Sequence, residues 1–342
     1  MTPKIGFLGA VRGDLARGLY GEENGGKGRS WWRLFGGVRA EWLDLSTGIN
    51  PCPYPVGGIG AAAWADLPDS DAIAGLEAAA RAFWQVPQGA AVLAAAGASA
   101  LIARVPLLVP AGRVAIAGPT YNEHERAFRA AGWQVEDMQA RVQARVQTGV
   151  QAGARVLVHP NNPDGRVWSD TDIGEMTIID ESFCDVMPEA SLIESASRPG
   201  VIILKSFGKF WGVAGLRLGF AIGDPKLVAG LAQSVGPWAV SGPALEIGTR
   251  ALRDAAWAKA TRARLAVDAA RLDATVGLPL VGGTSLFRLY DAGDAVAFQA
   301  RLARAKIWCR IFPYSTRRVR LGLPGTAESW ARLEAALKGY RA

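Results

Sequence analysis

Val201-Ile202-Ile203-Leu204 runs straight into Lys205-Ser206-Phe207-Gly208-Lys209, and the same arrangement of a short apolar run before a polar loop occurs twice upstream. Val156-Leu157-Val158-His159 precedes Pro160-Asn161-Asn162-Pro163-Asp164-Gly165, and Thr177-Ile178-Ile179 precedes Asp180-Glu181-Ser182-Phe183. Runs this short and this uniformly apolar read as strands buried on both faces, the habit of parallel sheets. Upstream, Arg113–Ala117 reads as another such strand and Asn122–Ala131 as the helix that follows it. Asp71–Gln85 reads as a helix with Asp69 or Ser70 as its N-cap. The alternation predicts an α/β fold in which helices cover a mostly parallel sheet. Ligands in such sheets sit outside the carboxyl ends of the strands, so the loops quoted above are where chemistry is expected.

Downstream the rhythm changes. Leu245–Val276 reads as one long helix, and Gly282–Tyr290, Ile307–Phe312 and Arg318–Leu321 as strands of a smaller α+β lobe closed by the helix Ala327–Tyr340. The expected division is an N-terminal arm with part of the small lobe over residues 1–50, a large domain over 51–244 and a small C-terminal domain over 245–342. The repetitive stretch 139–153 reads as a solvated connector, and residues 21–30 as a loop.

Composition narrows the function. Of 342 residues, 50% are apolar and 20% charged, which supplies a core and argues against a disordered chain. No window approaches the roughly 18 consecutive apolar residues of a spanning helix, so no membrane role is expected. Three scattered cysteines and two histidines supply a metal site poorly, and no metal is expected; a reducing cytoplasm fits best. The net charge of +7 comes from 38 basic residues, thirty of them arginine, spread over the whole chain. Without a basic cluster, no nucleic-acid partner is expected, and small anionic metabolites remain.

Each strand-end loop has an ordinary explanation in isolation: Asn-Asn-Pro-Asp-Gly is a turn signal, and an Asp after a strand commonly caps the next element. Together and in this order they resemble the fold-type I pyridoxal-phosphate enzymes, the aspartate-aminotransferase superfamily. The resemblance rests on Asn161-Asn162-Pro163-Asp164-Gly165, then Asp180-Glu181-Ser182-Phe183, then Ser206-Phe207-Gly208-Lys209 with Gly215-Leu216-Arg217-Leu218-Gly219. It implies a mostly parallel seven-stranded sheet in the large domain, pyridoxal 5'-phosphate as cofactor, and a homodimer. Lys209 is then the residue that condenses with the cofactor aldehyde. Asp180 faces the pyridine nitrogen, Asn162 donates to the phenolic oxygen, and Tyr121, in Gly118-Pro119-Thr120-Tyr121, stacks on the ring. Ser206 and Arg217 would bind the cofactor phosphate, with Ala98 and Ser99 at the start of the helical stretch Ala100–Val105.

Asp44-Leu45-Ser46-Thr47-Gly48-Ile49-Asn50-Pro51, Gly208-Lys209-Phe210-Trp211 and Gly282-Gly283-Thr284-Ser285 are similar, more narrowly, to the threonine-phosphate decarboxylase family of cobalamin biosynthesis. The resemblance implies decarboxylation of L-threonine O-3-phosphate to (R)-1-amino-2-propanol O-2-phosphate, with Arg310 and Arg318 as the substrate-anion arginines. Asn24 and Gly25 would stand in the family's His-Gly-Gly, and Gly48 and Asn162 also line the substrate. Three departures stand out: Asn24 replaces that His, Gly48 and Leu67 replace an Asn and a Tyr of enteric relatives, and residues 166–179 are too few for the usual helix. The alternatives are an aminotransferase for a phosphorylated amine such as histidinol phosphate, and a cofactor-binding regulatory domain without catalysis.

Overall fold

The computed structural model describes residue 32, residues 35–138 and residues 153–340 of the protein. The N-terminal part gives strand β1 (Leu43–Asp44), helix α1 (Ala61–Ala65) and helix α2 (Ser70–Trp84). Asp69 caps α2 by accepting from Ala72 N at 2.7 Å. There follow β2 (Ala91–Ala95), α3 (Ala98–Ile102), β3 (Arg113–Ile116), α4 (Asn122–Ala130), β4 (Gln134–Asp137), β5 (Ala154–Val158), β6 (Thr177–Asp180), β7 (Val201–Ser206) and β8 (Gly219–Gly223). Then come α5 (Pro225–Val235), α6 (Gly242–Arg253), α7 (Ala255–Val276), β9 (Leu280–Thr284), β10 (Phe287–Asp291), α8 (Ala295–Arg304), β11 (Ile307–Trp308), β12 (Arg310–Phe312), β13 (Ser315–Gly322) and α9 (Ala327–Leu337).

The large sheet has seven strands in the order β2-β8-β7-β6-β5-β3-β4. Only β8 runs against its neighbours; β3, β4, β5, β6 and β7 pair in parallel. Alternate residues of the central strands feed two cores. Val156, Ile178, Ile202 and Leu204 pack with Leu101, Phe128 and Trp133. Ile179, Ile203 and Phe220 pack on the other face with Trp84, Phe207 and Trp211. This second core continues without a break into Phe287, Tyr290, Val319 and Leu321 of the small antiparallel sheet, ordered β12-β13-β10-β9. Near the N-terminus, β1 pairs in parallel with β11, joining the early chain to the late one.

Three expectations need correction. Ile307–Phe312 is two strands, β11 paired with β1 and β12 paired with β13. Leu245–Val276 is not one helix: the chain breaks at Asp254 (φ −94°, ψ 71°), whose carboxylate accepts from Trp257 N at 2.9 Å and starts α7 afresh. An Asp within an Ala-rich run is thus an N-cap in mid-pattern. Gly282–Tyr290 is not one strand but the hairpin β9–β10, with Thr284 Oγ1 accepting from Leu286 N across the turn. The short connection 166–179 holds one 3-10 turn, Asp170–Asp172, where a helix would otherwise lie. Most of the stretch 139–153 lies outside the described residues.

Candidate active site

Asp180 ends β6, and Asn162, Tyr121 and Lys209 follow β5, β3 and β7, so the four gather at the carboxyl edge of the large sheet. Asp180 is buried. Its Oδ2 lies 2.8 Å from His124 Nε2, and its Oδ1 accepts from Ser182 N at 3.0 Å and Ser182 Oγ at 2.5 Å. Burial alone raises its pKa, but His124 and then Ser182 outweigh that and hold the carboxyl below its ordinary range. His124 lies on α4, three residues beyond Tyr121, and their rings meet edge to face with centroids 6.2 Å apart. Nothing in the sequence singles out His124, because its partner is remote in the chain.

Lys209 and Lys205 lie four residues apart in opposite electrostatic settings. Lys209 is half-buried, its Nζ 5.3 Å from the centre of the Phe183 ring. Burial first, then the positive charges of Arg320 and Arg217, push its pKa down to about 8, although Asp180 pulls the other way. Lys205 is fully enclosed with Glu181 at 2.5 Å and Asp185 at 3.8 Å, and these carboxylates overcome burial and push its pKa up. Lys205 is a locked cation. Lys209 is an amine that gives up its proton more readily than an ordinary lysine.

A second cluster forms where β2 meets β8. Gly97 has φ +89°, and a Cβ there would lie 2.8 Å from Nη2 of Arg217. Gly219 passes so close that its Cβ would lie 2.4 Å from Ala98 N. Ser206 ends β7, its Oγ accepting from Gly208 N at 3.3 Å. Ala98 and Ser99 open α3, and the first N–H groups of a helix have no intrahelical acceptor. Gly97, Ala98, Ser99, Ser206 and Arg217 thus lie together and offer donors and positive charge.

The small sheet closes the site. Arg320 is buried and donates through Nη1 to Asn162 Oδ1 and through Nη2 to Ser46 O. Arg318, expected as a substrate-anion arginine, points to Asp291, 3.6 Å away, with its side chain 36% exposed. Residues 318 and 320 share one face of β13, so alternation does not choose between them; the cross-strand pair with Asp291 does. Arg310 is the direct partner of Arg320 across β12–β13. Gly48, with φ +65°, packs against Phe287 and Phe183. Gly165 and Gly282 bring the 161–165 loop against β9 backbone to backbone, and Gly283 N donates to Asp164 O at 2.8 Å. Asn24 and Gly25 lie outside the described residues.

This constellation can be set beside known proteins. The family described as Aminotransferase class I and II matches residues 61–337. The chain belongs to that family. A threonine-phosphate decarboxylase of Pseudomonas aeruginosa is 39% identical, over 93% of this chain and 98% of the relative. A histidinol-phosphate aminotransferase of Vibrio parahaemolyticus is 35% identical over only 37% of this chain and 40% of its own length. Among solved structures, the fold is similar to a histidinol-phosphate aminotransferase of Sinorhizobium meliloti in complex with pyridoxal 5'-phosphate, with TM-score 0.78, 18% identity and 98% of each chain covered.

The cofactor of this aminotransferase-family chain is pyridoxal 5'-phosphate. The residues present fit it. A phosphate suits the donors beside Gly97, where a side chain would collide with the Arg217 guanidinium. An aldehyde suits an amine whose pKa is held near 8, and a pyridinium suits a buried carboxylate kept charged.

Proposed function

We propose that the chain decarboxylates L-threonine O-3-phosphate to (R)-1-amino-2-propanol O-2-phosphate, the aminopropanol linker of cobalamin. The observation that carries this reading is the direct cross-strand placement of Arg310 against Arg320. Like charges directly opposite one another destabilise a sheet, and a substrate phosphate held between them relieves the repulsion. Threonine phosphate carries a carboxylate and a phosphate. The near full-length match to a threonine-phosphate decarboxylase supports the same choice over the shorter aminotransferase match.

Bound pyridoxal phosphate supplies a sink for the electron pair left when a bond to the substrate α-carbon breaks. Lys209 anchors the cofactor, and Asp180, braced by His124, holds a proton on its ring nitrogen. Asn162 and Tyr121 orient the ring, and Arg217, Ser206, Ala98 and Ser99 hold its phosphate. Which bond at the α-carbon breaks is a question of orientation. Arg310 and Arg320 would hold the remote phosphate and leave the carboxylate as the group free to depart, so binding energy far from the reacting bond sets the outcome.

The active unit in this reading is a cytoplasmic homodimer. Trp64, Leu67 and Trp238 are 72%, 68% and 56% exposed, and Leu67 lines a groove with Ala62, Ala63 and Leu245 that a second copy would cover. No helix among the described residues is long and apolar enough to cross a membrane. The test is incubation of cofactor-loaded protein with threonine phosphate and, separately, histidinol phosphate with a keto-acid acceptor. Carbon dioxide from the first supports the proposal; amino-group transfer from the second without it supports the aminotransferase.

A further inference from the structure

Three consecutive carbonyls of the lysine turn are received by one early segment of the chain. Lys209 O accepts from Asn50 N at 3.0 Å, Phe210 O from Asn50 Nδ2 at 2.8 Å, and Trp211 O from Tyr54 N at 2.8 Å. The fit leaves no room for a side chain between the two segments. Gly212 has φ +71°, and a Cβ there would lie 2.7 Å from Pro53 Cα and 2.8 Å from Asn50 O. Asn50 is itself 1% exposed, and every polar atom of its side chain is engaged. Its Oδ1 accepts from Cys52 N at 3.0 Å and from Arg264 Nη2 at 2.7 Å. Arg264 lies on α7, with its other Nη paired to Asp268 at 3.0 Å.

We propose that Asn50 is the positioning residue for Lys209: it clamps the peptides on both sides of Phe210, and Arg264 acts through it to tie the lysine turn to α7. The proposal rests on Lys209 as the cofactor lysine. The side chain of Lys209 reaches the site from a turn that has no helix or strand of its own, so its backbone must be fixed from outside. The segment 50–54 does that.

The test uses the full-length, cofactor-loaded protein with Asn50→Ala, the isosteric Asn50→Asp, Arg264→Met and the double variant Asn50→Ala/Arg264→Met. Arg288→Met serves as the comparison, since it breaks a brace from β10 to Asp273 on α7 and touches none of the Asn50 contacts. Readouts are the pyridoxal-phosphate release rate, the pH midpoint of the bound chromophore, and the urea midpoint. Loss of a buried hydrogen bond predicts release about tenfold faster in both Asn50 variants and a few-fold faster in Arg264→Met. The chromophore midpoint shifts in the Asn50 variants, and the double variant is no worse than Asn50→Ala. Arg288→Met loses stability with release unchanged. Wild-type release and chromophore midpoint in Asn50→Asp and Arg264→Met, or additive effects in the double variant, overturn the proposal. Borohydride fixation in the wild type identifies the anchoring peptide separately: a label away from Lys209 refutes the reading beneath the proposal, whereas a label on Lys209 with unaltered variants refutes the proposal alone.

Discussion

His124 and Asp180 are joined at 2.8 Å with their side chains 1% and 3% exposed, which makes the floor of the site a pair that water does not screen. Because His124 is the largest stabiliser of the charged carboxylate, its removal leaves Asp180 buried with fewer donors. Asp180→Asn is predicted to bind pyridoxal phosphate but turn over slower by a factor on the order of 10²–10⁴, since a group holding a proton in the reaction is lost. His124→Phe should cost about 1–3 kcal/mol of stability and slow turnover less than Asp180→Asn does. Steady-state kinetics and urea unfolding check both. Near wild-type turnover in Asp180→Asn would contradict its placement.

In the proposed reading Lys209 takes up the cofactor aldehyde, and it must be unprotonated to do so. Its pKa is depressed to about 8, so the amine is charged below that pH and neutral above it. Cofactor uptake by the apo-protein is therefore predicted to accelerate as pH rises through about 8, well before an ordinary lysine would respond. Borohydride should then fix the label on Lys209 and leave Lys205, held charged by Glu181, unlabelled. An inflection near that of an ordinary lysine, or a label on Lys205, contradicts this.

Gly165 cannot take a side chain: a Cβ would lie 2.1 Å from Gly283 O, on a backbone with φ +74°. Gly165→Ala must push the 161–165 loop away from β9. The predicted loss is about 2–4 kcal/mol in chemical denaturation, the range of strained backbone plus overpacking. An unchanged unfolding midpoint would show that the two segments are not in contact.

Arg318 and Arg320 separate by function despite being two residues apart. Arg320→Ala removes the guanidinium that meets Asn162 and is predicted to reduce kcat/KM by about 10²-fold or more, the loss of a charged contact. Arg318→Ala removes an exposed pair with Asp291 and is predicted to change kcat/KM less than about threefold. The reverse order would restore the assignment to Arg318.

These contrasts show what the sequence carries. The strand-end positions of Lys209, Asp180 and Asn162 were legible because each ends or follows an uninterrupted apolar strand, and the sheet brings consecutive strand ends together. Arg320 was not, since alternation along β13 treats residues 318 and 320 alike and only the remote Asp291 separates them. His124 and Asn50 act through partners 56 and 160 residues away, a separation that local pattern does not encode. The break at Asp254 was missed because capping by a mid-run Asp competes with strong flanking helix propensity. Strands β2, β4 and β8 escaped for lack of the polar strand-end loops that marked their neighbours.

The most direct test of the account compares kcat for threonine with kcat for threonine phosphate at saturating pyridoxal phosphate, with carbon dioxide as the product measured. If phosphate gripped by Arg310 and Arg320 sets the geometry at the α-carbon, threonine is turned over at least about 10²-fold more slowly in kcat as well as binding more weakly, because remote binding energy is spent on orientation. Equal kcat for the two substrates would contradict the account.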